Sequence, residues 1–177
     1  MTLGSSKASN FILYFSGALP HTFILERMIF MYRNILVPMD GSSNSKRALD
    51  EAINLSEKFG SKISILSVVN ESNMIFTTGS PDMILTGLKS NAEDIAEKGR
   101  KHAADRGVAV EVFVQRGIPK QVIADEFPSE HHIDLIVIGK SGADAFDRLL
   151  LGSTTSYVVR KSKAKILVVN DEESEDK

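Results

Sequence analysis

The sequence contains no cysteine among its 177 residues. Disulfides, thiolate metal sites and thiol nucleophiles are therefore excluded. A chain without disulfides suits a reducing compartment, and we expect a cytoplasmic protein.

The sequence also lacks a strong excess of charge of one sign. The formal net charge is −2, and residues 171–177 (DEESEDK) alone contribute −4, so the remainder carries +2. Neither value provides a concentrated basic surface, and only 7% of the residues are aromatic. We therefore expect no nucleic-acid partner. Residues 171–177 are interpreted as a solvated acidic tail.

No hydrophobic run is long enough to cross a bilayer, which takes about 20 residues. The longest apolar stretch of the N-terminal region, residues 11–19 (FILYFSGAL), is about half that length, so we expect no membrane association. A signal peptide is an alternative, but exported domains usually contain cysteines. Because Met28 and Met31 directly precede the first clear strand, residues 1–30 are interpreted as an N-terminal extension, disordered or produced by a wrongly assigned start.

The chain has room for a single ordinary domain, in which short apolar strands alternate with segments of helical periodicity. Strands are predicted over residues 35–37, 63–69, 108–114, 135–138 and 166–169. Strands that are apolar on both faces and separated by helices predict an α/β fold, an open twisted five-stranded parallel sheet with helices on both faces. Ligands bind such sheets beyond the carboxyl ends of the strands, so Asp40 and Gly139 are informative positions.

The stretch VIGKSGADAFDRLLLGSTTS, residues 137–156, contains three spaced glycines. A phosphate-binding P-loop would need a further glycine where Asp134 stands, and a dinucleotide G-x-G-x-x-G follows no strand. Gly139-Lys140-Ser141-Gly142-Ala143 imitates a nucleophile elbow, but all four histidines precede the serine, whereas that fold requires one after it.

An anion cradle explains the same residues better. Glycine at 139 and 142 permits positive φ and close approach of backbone N–H groups to a ligand. Gly152 and Ser153 would open the last helix, whose N–H groups and dipole favour negative charge, and the hydroxyls of residues 153–155 would add donors. Alternatively, Gly139 only ends a strand, Gly152 is a hinge and Ser153 is an ordinary N-cap that contributes about 1 kcal/mol.

The spacing Gly139-x2-Gly142-x9-Gly152-Ser153 resembles the G-2x-G-9x-G-[ST] signature of the universal stress protein family, in its ATP-binding branch. The resemblance also includes the opening strand with its aspartate (NILVPMDGS) and the closing Ile-Leu-Val-Val strand. It covers the folded body, so residues 31–170 are interpreted as a universal stress protein domain.

The resemblance implies a Rossmann-like, adenine nucleotide alpha hydrolase-like sheet that binds ATP, with Mg²⁺ carried by the phosphates. It also implies a homodimer through the last strand, Ile166 to Val169. By position, Asp40 would hold the ribose or lie beside the adenine, and Val68 would offer its backbone to the adenine edge. Arg148 could bring positive charge to the phosphates. The full set of predicted binding residues is Pro38, Asp40, Val68, Ile138, Gly139, Ser141, Gly142, Arg148, Gly152, Ser153, Thr154 and Thr155.

The resulting hypothesis is an ATP-dependent regulator or sensor in stress response, read by an unknown protein partner. The alternative is a slow ATPase or a phosphoryl- or nucleotidyl-transfer enzyme. Asp144 and Asp147 lie near the predicted cradle but have no orienting histidine, so no catalytic residue is assigned. A docking module with a vestigial site is the third possibility.

Overall fold

The computed structural model describes residues 32–70, 81–140 and 151–170. The predicted N-terminal extension (1–30) and acidic tail (171–177) lie outside these residues, and the domain boundaries remain a prediction. In chain order the elements are β1 (Asn34–Pro38), α1 (Ser43–Phe59), β2 (Lys62–Asn70), α2 (Pro81–Asp105), β3 (Val110–Gly117), α3 (Pro119–Gln121), a π-helical segment (Val122–Glu126), α4 (Phe127–Glu130), β4 (Leu135–Gly139), α5 (Ser153–Lys161) and β5 (Lys165–Val169).

The five strands form one parallel sheet in the order β3-β2-β1-β4-β5, which confirms the predicted sheet. From β1 the chain winds outward through β2 to β3, and then returns to place β4 on the other side of β1. The winding direction therefore reverses between β1 and β4. The carboxyl ends of these two strands mark the position where open α/β sheets bind ligands.

Both faces of the sheet are covered by helices, as predicted. Along β1 the side chains alternate: Ile35 and Val37 join the core beneath α1 and α2, and Leu36 joins the core on the opposite face. That second core includes Phe127 from the segment after β3 and Val158 from α5. Because the centre of β1, Ile35 to Val37, is fully buried on both faces, it is apolar, and the ends of the strand are the first positions that can carry polar groups.

Strand β3 lies further along the chain than the apolar run predicted. The prediction was 108–114, whereas the strand spans Val110–Gly117 and pairs with β2 up to Asn70 opposite Gly117. Val108 instead donates its N–H to the Ala103 carbonyl (3.0 Å) and completes the end of α2. The long partner strand β2, and not hydrophobicity, sets the length of β3.

The helical segment after β3 widens into a π-helix over Val122–Glu126. Pro128 follows it, has no N–H, and its ring would conflict with the carbonyl of Ala124 four residues earlier. The N–H of Phe127 reaches back five residues to the Val122 carbonyl, so the widened turn accommodates the proline. This turn keeps Ile123 and Pro119 at the carboxyl edge of the sheet.

Candidate functional site

A cavity of about 720 Å³ lies at the carboxyl edge of the sheet, beyond the ends of β1, β2 and β4. This volume is within the range of small-molecule sites, ~300–1,000 Å³. The structure brings together at this cavity nine of the predicted binding residues, namely Pro38, Asp40, Val68, Ile138, Gly139, Gly152, Ser153, Thr154 and Thr155. The other three, Ser141, Gly142 and Arg148, lie outside the described residues.

The loop between β1 and α1 forms one wall of the cavity. Gly41 has φ +83°, and a Cβ there would lie 3.3 Å from two side-chain carbons of Ile95 on α2. Asp40 is exposed, and its Oδ1 accepts the N–H of Ser42 at 3.0 Å, so one carboxylate oxygen stabilises the turn. The other oxygen remains available to a ligand hydroxyl.

Val68 lies where β2 extends past the end of β1. The Lys62 N–H donates to the Arg33 carbonyl, and the Leu66 carbonyl accepts from Met39, both at 2.8 Å. Even-numbered residues of β2 thus direct their peptide groups toward β1, because successive peptide groups alternate in a strand. The β1–β2 pairing ends with Pro38 opposite Leu66. The N–H and carbonyl of Val68 therefore face the cavity instead of a strand.

The N-terminus of α5 also faces the cavity. Gly152 is the N-cap (φ −57°, ψ 156°) and provides no side-chain cap, so the alternative in which Ser153 is the N-cap is wrong. The first helical hydrogen bond runs from the Ser156 N–H to the Gly152 carbonyl at 2.8 Å. The N–H groups of Ser153, Thr154 and Thr155 precede that bond and have no partner within the helix. Together with the helix dipole they favour an anion.

Two hydrogen bonds hold the start of α5 against the end of β4, and a third joins the end of β4 to β5. Thr155 Oγ1 donates to the Gly139 carbonyl, the Gly152 N–H donates to the Lys140 carbonyl, and the Lys140 N–H donates to the Val169 carbonyl, each at 2.9 Å. Thr155 is 3% exposed. Its hydroxyl proton is committed to Gly139, so the prediction that this hydroxyl donates to phosphate is wrong.

Gly139 is required for a different reason from the one predicted. Gly139 does not have a positive φ, unlike several other described glycines, so the prediction of a left-handed turn at this residue is wrong. A Cβ at Gly139 would lie 2.8 Å from the backbone carbon and oxygen of Asn44 and from its Cβ. Glycine allows β4 to pack directly against the first turn of α1.

Sequence reasoning missed the wall that α2 contributes. Leu88, Ala92 and Ile95 recur at helical spacing on one stripe of a long helix, and with Asn91 they line the cavity. Their helical spacing was visible, but the sequence pattern does not say that the first turns of α2 extend beyond the sheet edge. The other lining residues that were not predicted are Met39, Ser42, Ser45, Leu66, Ser67, Val69, Asn70, Pro119 and Ile123.

Ionisable groups are sparse around the cavity. Asp40 is the one carboxylate among the described lining residues, and none of these residues is a histidine. The described ranges contain no group of three or more metal-ligating side chains. On the outer surface of α2, hydrogen bonds from Arg100 lower the pKa of the Glu97 carboxyl, but neither residue lines the cavity. The polar part of the site therefore consists mainly of backbone groups and small uncharged side chains, beside an apolar lining.

The fold and the cavity define an α/β protein with a cavity at the switch point of an open parallel sheet. The family model of the universal stress protein family matches residues 31–170. The chain belongs to the universal stress protein family.

A universal stress protein of Methanocaldococcus jannaschii is 31% identical over 147 residues, which cover 82% of this chain and 86% of that protein. The solved structure of UspA from Lactobacillus plantarum is 29% identical, with a TM-score of 0.68 over 78% of this chain and 98% of that one. A universal stress protein solved in complex with cAMP is 26% identical, with a TM-score of 0.58 over 79% of this chain and 98% of that one.

Proposed function

We propose that this protein binds an adenine nucleotide in the cavity, ATP with Mg²⁺ in the cell, and acts as a nucleotide-dependent regulator in stress response. The observation that carries the proposal is that the uncapped N-terminus of α5 and the free peptide group of Val68 line the same cavity. The first favours an anion, and the second offers a donor and an acceptor to a base edge. A structural neighbour in complex with cAMP supports an adenine nucleotide.

Each part of the nucleotide has a matching group in the cavity. Adenine would lie against the apolar side chains of Pro38 and Ile138, with its N6/N7 edge on the Val68 backbone. Asp40 would accept the ribose hydroxyls through its available oxygen. The phosphates would bind the amides of Ser153 and Thr154. Because Asp40 is the one described lining carboxylate, the phosphates and water would supply most ligands of Mg²⁺, which usually keeps several waters.

The amide contribution is tested by Ser153→Pro, with Ser153→Ala as the matched control. Proline is tolerated at the first helical position, and Gly152, with ψ 156°, already has the conformation that a residue before proline prefers. Both variants lose the hydroxyl, but only proline loses the N–H. Since a hydrogen bond to a charged group contributes about 1.5–3 kcal/mol, we expect Ser153→Pro to bind ATP at least ~10-fold more weakly than Ser153→Ala in calorimetry. Equal affinities would refute phosphate binding by this helix.

The enzyme alternative is separated from the regulator by the fate of the nucleotide. Purified protein is incubated with ATP and Mg²⁺ and quenched with acid, and the nucleotides are then identified. We expect intact ATP, because the described lining residues offer no histidine and only a carboxylate that is already bonded to the Ser42 N–H. Stoichiometric or catalytic accumulation of ADP and phosphate would favour the enzyme.

The partner of this domain is proposed to be a second copy of the chain, paired through β5, with an unknown protein reading the nucleotide state. β5 lies at the sheet edge, and its Ile166 to Val169 are only half-buried. The Lys165 N–H donates to the Asp134 carbonyl, so by alternation the peptide groups of Ile166 and Val168 face away from the sheet.

No described helix is long and apolar enough to span a bilayer. A cytoplasmic location remains a prediction.

A further inference from the structure

Helix α2 presents one polar side chain to the cavity within an apolar strip. Leu88, Ala92 and Ile95 supply the apolar part, and Asn91 lies among them, one turn before Ile95. An apolar surface of this kind suits the flat face of a nucleotide base. A side-chain amide beside it can address the base edge.

The Asn91 amide has its hydrogen-bonding groups free. It makes no hydrogen bond with any other residue in the described part of the chain. Several other polar lining groups are already engaged, since Asp40 accepts from the Ser42 N–H, Ser45 donates to the Ser42 carbonyl, and Thr155 donates to Gly139. A free amide offers both an acceptor oxygen and an NH₂ donor, which is the pair needed to recognise one base.

Asn91 lies at the end of the cavity away from the anion-binding helix. The core residue Ala96 of α2 packs on one face of the sheet, and Val158 of α5 packs on the other. Ile95 lies beside Gly41, which follows Asp40, and Asn91 is about 6 Å further along the axis of α2. If phosphates bind at α5, the base and ribose must lie toward Asp40 and Asn91.

We infer that Asn91 determines the base specificity of the cavity by pairing with the Watson–Crick edge of adenine, which the Val68 backbone leaves open; this inference rests on the proposed nucleotide-binding function. Adenine presents an amino donor beside a ring-nitrogen acceptor, and an asparagine amide complements that pair in a bidentate manner. The Watson–Crick edge of guanine presents two neighbouring N–H donors, which a carboxylate would accept instead. Replacing the amide by a carboxylate should therefore exchange the preference.

The test measures the dissociation constants of Mg·ATP and Mg·GTP for the wild type and for Asn91→Asp. We expect the wild type to prefer ATP and the ATP-over-GTP preference to fall ~10-fold or more in Asn91→Asp, because a bidentate contact discriminates bases by about 5- to 100-fold. Asn91→Leu should lose preference without gaining GTP affinity. Asn54→Asp on α1 is the matched control: it adds the same charge outside the cavity, at a residue that accepts from Arg106 (3.2 Å), and should keep the wild-type ratio.

The two proposals fail in distinguishable ways. A wild type that binds neither nucleotide would overturn nucleotide binding itself. The role of Asn91 would be overturned, with nucleotide binding intact, if the wild type binds ATP and Asn91→Asp lowers the affinities for ATP and GTP equally or leaves both unchanged. Equal weakening would mean that the new charge repels the phosphates or disturbs the ribose, since both features are shared by the two nucleotides.

Discussion

Replacing Gly139 by alanine should destabilise the ligand-free protein. The added Cβ would lie 2.8 Å from three atoms of Asn44, two of which belong to the backbone of the first turn of α1. Carbon atoms in good contact are about 3.5–4.0 Å apart, so α1 and β4 would have to separate by about 0.7–1.2 Å at this point. A backbone neighbour cannot rotate away as a flexible side chain could.

The cost follows from what that separation disturbs. Behind Asn44, α1 buries Ala48, Leu49 and Ala52 in the core beneath the sheet, and each is fully buried. Overpacking of a close-packed core costs about 1–3 kcal/mol. In a domain of this size ~2 kcal/mol corresponds to a Tm lower by roughly 4–8 °C.

The assay is urea unfolding of nucleotide-free protein, followed by far-ultraviolet circular dichroism. Gly87→Ala is the matched control, because it adds the same methyl group in α2 where no atom lies within 4 Å. Alanine is the better helix former, so that control should gain about 0.5–1 kcal/mol. The two variants should shift stability in opposite directions. If Gly139→Ala is as stable as the wild type and loses only nucleotide affinity, then Gly139 serves ligand access and the packing argument is wrong.

Two further predictions concern the frame of the site and its assembly. Thr155→Val keeps the shape but leaves the buried Gly139 carbonyl without its donor, so it should lower the unfolding free energy by about 1–3 kcal/mol in the same urea assay. Thr155→Ser, which keeps the hydroxyl, should lose less, and a Thr155→Val variant as stable as the wild type would show that the hydroxyl is dispensable. Val168→Pro removes the N–H of β5 that faces away from the sheet and leaves the hydrogen bonds between β4 and β5 intact. Light scattering should therefore show a weaker dimer for Val168→Pro than for the control Val168→Ala. A dimer of unchanged affinity would exclude pairing through β5.

Much of the fold could be predicted because each element carries its own signal. The apolar strands, the Ser42 cap of α1 and the left-handed Gly60 at its end are local features. The positions of Asp40 just beyond β1 and of Gly139 at the end of β4 follow from the same pattern. The strand order does not, because periodicity contains no information about which strand becomes the neighbour of β1.

The part of the site that could not be predicted depends on contacts between distant segments. The Thr155 hydroxyl donates to the Gly139 carbonyl, 16 residues earlier in the chain. The residue types alone do not show whether a threonine hydroxyl donates to the backbone or to a ligand. The α2 wall was missed because an apolar stripe looks the same whether it faces a core or a cavity. Asn91 is therefore visible as a candidate only once the sheet edge is known.

The glycine and hydroxyl motif thus describes the frame of the site more than its ligand contacts. Gly139 brings β4 against α1, and Thr155 attaches α5 to β4. Among the described residues, the groups left to face the proposed phosphate are the amides of Ser153 and Thr154, which almost any residue could supply, and the hydroxyls of these two residues. Substituting Gly139 or Thr155 therefore tests the position of α5, whereas a change that removes an amide while preserving the helix tests anion binding by the backbone itself. For this reason the comparison of proline with alanine at position 153 is more decisive than any side-chain substitution in the motif.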